Sequence, residues 1–205
     1  MSITFIILLL TVATSIIGFT NDTFQSKGML NPYMVHHRKE YWRLIASGFL
    51  HAGFFHLLIN MMVLLGFGSI VESHYREIFP QNGKIYYAVL YLGGILVANV
   101  PSLNKYKDNI YYNSLGASGA IAAVLFASIL FDPWQKIYIF GILPLPGVIL
   151  GPLYLFFEYT MSKRGGTNIN HDAHFYGAIF GLLYTIILDP TILKHFINVL
   201  MNPPF

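Results

Sequence analysis

Residues 115–131 read Leu115-Gly116-Ala117-Ser118-Gly119-Ala120-Ile121-Ala122-Ala123-Val124-Leu125-Phe126-Ala127-Ser128-Ile129-Leu130-Phe131. The stretch carries no charge, and its apolar residues surround a helix on every side. A helix of that kind lies inside a core or inside a membrane, because it has no face to give to water. About 17 residues is the lower limit for a span. The rest of the chain decides between the two environments. Of its 205 residues, 55% are hydrophobic and 10% are charged, and the mean hydropathy is +0.58. A soluble domain carries about 25% charged residues, so too few charges are present here to cover a globular surface. The solvent these residues fit is a lipid bilayer, and the chain reads as an integral membrane protein.

Five more apolar stretches flank the first: Ile3–Phe19, Leu44–Val71, Ile85–Val100, Ile137–Tyr159 and Ala173–Leu188. Together they predict an all-α membrane protein of six transmembrane helices, with residues 1–205 forming a single domain. In lipid every backbone N–H and C=O must be paired within the protein, so runs of this length are helical. The alternating segments of a β-barrel are missing. No Lys or Arg precedes Ile3 and no A-x-A site follows Phe19, so the first stretch reads as a retained helix rather than a signal peptide. The chain has no cysteine, which excludes disulfides, thiolate metal sites and a Cys nucleophile. Its net charge of +3 is spread over the loops without a Lys/Arg run, so no nucleic-acid partner is expected.

Polar side chains inside spans are costly, about 2.5–3.5 kcal/mol for a charged one, and each is by default a functional hypothesis. His51, His56 and Asn60 lie in the second stretch, Ser118 in the fourth and His174 in the sixth. Alternate spans run in the same direction, and each of these residues sits in the first half of its stretch or, for Asn60, just past the middle. All five therefore fall toward one membrane face. His56 and Asn60 are four apart and share a helix face, whereas His51 points elsewhere on a continuous helix and has a different task near its start. His174, Gly177 and Gly181 share another face, and Gly177-x-x-x-Gly181 admits a close helix neighbour. Ser118 and Ala122 offer a matching small face, which would bring Ser118 toward His174.

These residues resemble the rhomboid intramembrane proteases. The resemblance rests on Trp42-Arg43, on His51-x-x-x-x-His56-x-x-x-Asn60, on Gly116-Ala117-Ser118-Gly119 and on Ala173-His174-x-x-Gly177-x-x-x-Gly181, in that order along nearly the whole chain. It implies a rhomboid-like bundle and a Ser–His dyad that requires no acid, with Ser118 as nucleophile and His174 as its base. It also implies an oxyanion hole from the Ser118 N–H, His56 and Asn60. His51, Trp42, Arg43, Gly116, Gly119, Gly177 and Gly181 would support the site, with Arg43 anchoring the first loop. The implied substrates are single-span membrane proteins, cut in or near the span, and the implied location is a bacterial plasma membrane. No metal and no cofactor is implied. Gating falls to the fifth span, about Leu150–Tyr159, and to the loop Met161–Asp172. Ala122 stands where many members carry an aromatic that packs on the catalytic imidazole, so a closer helix contact or another aromatic is expected there. The family's topology would put Arg76, Lys84, Lys136 and Lys194 in the cytoplasm and the other eight of the twelve Lys/Arg residues opposite, the reverse of the positive-inside rule.

Each motif has a plainer reading. Ser118 alone could be a small packing residue, and His56 with Asn60 could be interhelical hydrogen-bond glue. His171 is an alternative base, Asp172 lies on another helix face from His174, and His36 and His37 read as loop residues. Glu72 and Glu158 are expected at span ends, where a charge reaches the interface. A zinc protease helix would carry His-Glu-x-x-His, and an α/β-hydrolase elbow would place glycine where Ala120 stands. The remaining alternative is a rhomboid-like protein that binds membrane clients without cleaving them.

Overall fold

The computed structural model describes residues 1–139 and 141–203. Its helices in chain order are α1 (Ile3–Thr20), α2 (Asp22–Gly28), α3 (Pro32–Arg38), α4 (Arg43–Ala46), α5 (Phe54–Val63), α6 (Ser69–Ile78), α7 (Gly83–Lys105), α8 (Ser118–Phe131), α9 (Gly147–Arg164), α10 (His171–Leu188) and α11 (Thr191–Met201). A π-turn over Leu64–Gly68 joins α5 to α6, so Phe54–Ile78 forms one long helix. Strands β1 (Lys136–Ile139) and β2 (Leu143–Pro146) pair antiparallel, with Ile137 opposite Leu145. The described residues are mostly helical apart from that hairpin.

Ile3–Thr20, Phe54–Ile78 and Gly83–Lys105 are long and apolar enough to cross a membrane, and α10 with α11, bent by 110° between them, supplies a fourth candidate. Their outward faces are apolar: Phe55 is 78% exposed and Ile187 76%. Surfaces of that kind suit lipid, since water would leave them as association patches. The fifth expected stretch, Ile137–Tyr159, is corrected. Ile137–Ile139 and Leu143–Pro146 lie in the paired strands, and the helix begins only at Gly147. Gly141, Pro144 and Pro146 account for this, because proline lacks an N–H and disfavours helical geometry in the residue before it. Phe140, within that stretch, lies outside the described residues, as do Pro204 and Phe205 of the expected domain.

Helix α8 is the centre of the bundle. It has 14 residues, all buried except Ser118 and Leu125, and at about 1.5 Å per residue it is roughly 21 Å long. It packs between α7 and α10 through small residues. A methyl group built on Gly177 would stand 2.1 Å from the Gly119 carbonyl oxygen, and one on Gly181 would stand 2.1 Å from that of Ala123. On the other side a methyl on Gly94 would meet Ala120 Cα at 2.9 Å. The small face of α8 that meets α10 is therefore Gly119 and Ala123, one residue along from the expected Ser118 and Ala122. Ala122 instead packs in a cluster with Phe126 and Ala178, against Tyr154 and Leu155 of α9.

Polar contacts fix the ends of the long helices. Glu72 is 3% exposed and accepts hydrogen bonds from the N–H groups of Ile3 and Thr4 at 2.8 and 2.9 Å and from the Thr4 hydroxyl at 2.8 Å. Its carboxylate caps the α1 N-terminus, where the helix dipole favours negative charge. Glu72 thus lies at a span end as expected, but buried against α1 rather than exposed. At the same end, where His74 stacks on Phe131, α11 folds beneath α8: His195 Nε2 donates to the Phe131 carbonyl at 2.9 Å, and Trp134 Nε1 donates to the Val199 carbonyl at 3.0 Å. The first loop is three short helices rather than coil. Asn21 and Asn31 cap two of them. Buried Arg43 donates to the carbonyls of Ser26 and Met29, both at 2.8 Å, and pairs with Glu40 at 2.6 Å.

The α8–α10 contact sets a stability expectation. Gly181→Ala should cost about 1–3 kcal/mol through overpacking against backbone, read as a lower melting temperature in detergent. Gly66→Ala, which meets nothing within 4 Å, should leave the melting temperature unchanged or raised.

Candidate active site

Ser118 is the first residue of α8, and no side chain caps that helix end. The first N–H groups of a helix lack intrahelical acceptors and carry partial positive charge, so the Ser118 N–H is available to an anionic oxygen. His174 lies one turn into α10, whose start is fixed by Asn170: its side chain accepts from the Ala173 N–H at 3.1 Å and donates to Ser102 at 3.0 Å. Because Gly177 and Gly181 let α10 seat on the α8 backbone, the two residues meet. Ser118 Oγ lies 2.7 Å from His174 Nε2, across 56 positions of sequence.

His56 and Asn60 stand beside this pair on α5. Gly116 has φ +135°, which side chains rarely adopt, and a methyl built there would be 2.9 Å from His56 Cε1 and 3.8 Å from Ser118 Oγ. Glycine is required at 116 by the backbone angle and by the imidazole lying against it. Asn60 is 7% exposed, and its Nδ2 is a buried donor without a hydrogen-bond partner among the described residues. A buried unpaired donor costs about 1–3 kcal/mol, which an acceptor arriving in the site would relieve. Ser118, His56, Asn60 and His174 all line one open cavity of about 810 Å³, roofed by residues from the 105–115 and 161–172 segments.

His51 does not join that lining. It sits in an extended segment before α5, 1% exposed, with Nδ1 2.9 Å from Ser15 Oγ on α1, and its ring meets His56 edge-on at 4.9 Å. The continuous-helix premise for its direction does not hold, since the helix starts at Phe54. Trp42 is 58% exposed beside buried Arg43. Gly119 packs against Ala98, where an added methyl would fall 2.5 Å from the Ala98 Cβ.

Glu158 also belongs to this cluster, although no motif in the sequence marks it. It is 4% exposed rather than interfacial. One carboxylate oxygen lies 3.1 Å from His174 Nδ1 and the other 2.5 Å from His171 Nδ1. His171 Nε2 is 3.0 Å from the Thr167 hydroxyl, so His171 is turned away from Ser118 and toward the carboxylate. Asp172 accepts from Ser162 and lies 3.8 Å from Lys105, without touching an imidazole. The one available signal was the cost of placing Glu158 in an otherwise apolar run.

Residues 38–190 match the Rhomboid domain. The chain belongs to the rhomboid family. A rhomboid-like protein of Arabidopsis thaliana, RHOMBOID-like protein 1, is 34% identical over 54% of this chain and 26% of its own length. Another from that plant, Rhomboid-like protein 11, chloroplastic, is 28% identical over 81% of this chain and 59% of its own. A Bacillus subtilis (strain 168) protein named "Putative rhomboid protease YdcA" is 32% identical over 72% and 67%. The chain thus spans about a quarter to three fifths of the two plant relatives. Membership and the apolar helices make this rhomboid a multi-pass integral membrane protein.

Glu158, His171 and His174 could also offer three ligand atoms, all within 4.8 Å of one another. For zinc bonds of about 2.0–2.1 Å, tetrahedral ligand edges are roughly 3.3 Å. The 2.5 Å contact between Glu158 and His171 is a hydrogen-bond length instead, so the rhomboid cluster fits protons better than a metal.

Gly116→Ala should cost about 1–3 kcal/mol of backbone strain and displace the His56 ring. The check is a denaturation midpoint in detergent together with the His56 side-chain NMR signals, which should shift from their wild-type positions.

Proposed function

We propose that this protein is an intramembrane serine endopeptidase that cleaves single-span membrane proteins in or near the membrane. The observation that carries this reading is the 2.7 Å contact between Ser118 Oγ and His174 Nε2, at a helix N-terminus inside a cavity. In the proposed reaction Ser118 Oγ attacks the scissile carbonyl carbon while its proton passes to His174 Nε2. The oxyanion is received by the Ser118 N–H, Asn60 Nδ2 and His56. His174 returns the proton to the leaving amine, and water then releases the acyl group by the same steps. His51, Trp42, Arg43, Gly116, Gly119, Gly177 and Gly181 act by holding the geometry.

The reading includes six spans in one rhomboid-like domain. α8 and α9 are the two that fall short by length or hydropathy. The short α8 suits its place: at roughly 21 Å against a hydrocarbon thickness of about 30 Å, one end is recessed. A recessed Ser118 under an open cavity would let water reach a peptide bond at membrane depth.

The test is cleavage of a single-span reporter in reconstituted membranes. Wild type is expected to cleave and to label with a fluorophosphonate, while Ser118→Ala and His174→Ala abolish cleavage. Asn60→Ala is expected to lower kcat by about 10²–10³-fold, as for the loss of one oxyanion donor. Cleavage by Ser118→Ala at the wild-type rate would overturn the mechanism. Tight binding of an intact reporter by wild type would favour a client-binding protein instead.

A further inference from the structure

The outward and inward faces of α9 are inverted relative to a soluble helix. Phe156 and Phe157 are 70% and 52% exposed, while Glu158, the next residue, is 4% exposed. Lipid explains the exposed rings but not the buried carboxylate, because a charge inside the bundle is costly unless paired. Glu158 is paired twice. Its two oxygens take the Nδ1 atoms of His171 and His174, and the imidazoles continue to Thr167 and Ser118 at their Nε2 atoms, at 3.0 and 2.7 Å.

The proton positions follow from the donor and acceptor inventory. With Glu158 ionised the carboxylate only accepts, so the network assigns a proton to each Nδ1 and a lone pair to each Nε2. The hydroxyls of Thr167 and Ser118 then donate to those lone pairs. That is the tautomer a general base needs: His174 Nε2 is free to take the serine proton, and Nδ1–H is held in place. Among the described residues Glu158 is the acceptor that selects this tautomer at His174 Nδ1.

We propose that Glu158 is a positioning residue completing a Ser118–His174–Glu158 triad, and that His171 orients Glu158 by holding its second oxygen. The proposal rests on the serine protease reading above and departs from the acid-independent dyad that the family resemblance implies. As Ser118 Oγ bonds to the carbonyl carbon, its proton moves to His174 Nε2 and the imidazolium charge faces the Glu158 carboxylate. The same proton goes to the leaving nitrogen as the C–N bond breaks, and Glu158 stays ionised throughout. The geometry also ties two helices together at the base, since Glu158 belongs to α9 and His174 to α10. The Ser162–Asp172 hydrogen bond holds the same two helices a turn away.

Steady-state cleavage of the single-span reporter by the full chain in liposomes tests this. Glu158→Gln keeps the shape but loses the second acceptor and the charge. It is expected to lower kcat by about 10²–10⁴-fold, on the scale seen when a triad acid is replaced by its amide, with KM within about twofold of wild type. Fluorophosphonate labelling of Ser118 should slow in parallel, and Glu158→Asp should recover at least about tenfold of the rate that Glu158→Ala loses. A Glu158→Gln protein with kcat within about threefold of wild type, in a preparation where Ser118→Ala is inactive, overturns the positioning role and leaves the protease reading standing. Cleavage that survives Ser118→Ala defeats the protease reading and the triad with it. Should Glu158→Gln fail to fold, the wild-type protein carries the test. A downfield imidazole proton signal that is absent from His174→Ala supports the triad, and its absence from wild type overturns it. Stoichiometric zinc in purified wild type, lost on His171→Ala, would also overturn it by making the cluster a metal site.

Discussion

Helix α10 lies against α8 with backbone touching backbone, and the site exists only at that separation. Gly177 and Gly181 leave no room for a methyl before the carbonyls of Gly119 and Ala123. Small-residue contacts of this kind replace the hydrophobic driving force that lipid removes. Any wider spacing would draw His174 Nε2 beyond hydrogen-bonding reach of Ser118, and Glu158 could not follow because it is carried by a third helix. The one-residue offset in the interface matters equally. With Gly119 and Ala123 in the contact, Ser118 stands beside it rather than within it. A helix turns by about 100° per residue, so the hydroxyl is carried out of the packed seam and into the cavity.

The polar residues of the interior fall into two groups with opposite logic. Glu72, Arg43, Asn99 and Asn170 each have hydrogen-bond partners. Arg43 serves two carbonyls and Glu40, and Asn99 donates to the Leu44 carbonyl at 2.9 Å. They hold helix ends and the first loop where the bundle needs them. Asn60 Nδ2 is the contrary case: like His51 Nε2 and the Tyr91 hydroxyl it has no partner among the described residues, and of the three it is the one that lines the cavity with Ser118. Paired groups stabilise the fold. An unsatisfied one in a cavity stores a cost that a transition-state oxygen can release, which is how differential binding becomes rate.

Much of this arrangement was legible in the chain. Apolar runs placed α1, α7, α8 and α10 within about five residues at each end, and the polar residues of alternate spans fell on one face because helix direction alternates. What failed did so for identifiable reasons. The stretch around Ile137 is apolar enough for a span, but hydropathy does not register that Pro144 and Pro146 cannot propagate a helix. His51 was placed on a helix that starts only at Phe54. The two glutamates were assigned to the interface because an unpaired charge belongs there. Their partners could not be read: Glu72 meets Ile3 and Thr4 from 69 and 68 positions away, and Glu158 meets two imidazoles on the next helix. Burial of a carboxylate is settled by the partners that tertiary structure delivers, which composition and periodicity do not encode.

The fold of α11 beneath α8 has a mechanical meaning. A helix lined by glycine and alanine presents shallow ridges to its neighbours, and such smooth contacts resist sideways separation better than sliding along the axis. α8 is free of bulky keys on the two faces that meet α7 and α10. At its far end, however, His195 donates to the Phe131 carbonyl, and Trp134 donates to the Val199 carbonyl of α11. These bonds, with the 110° turn between α10 and α11, act as an axial stop. The height of Ser118 is thereby set from the opposite end of its own helix, one bundle-length from the reacting atoms, and α11 serves as the footing on which the nucleophile stands.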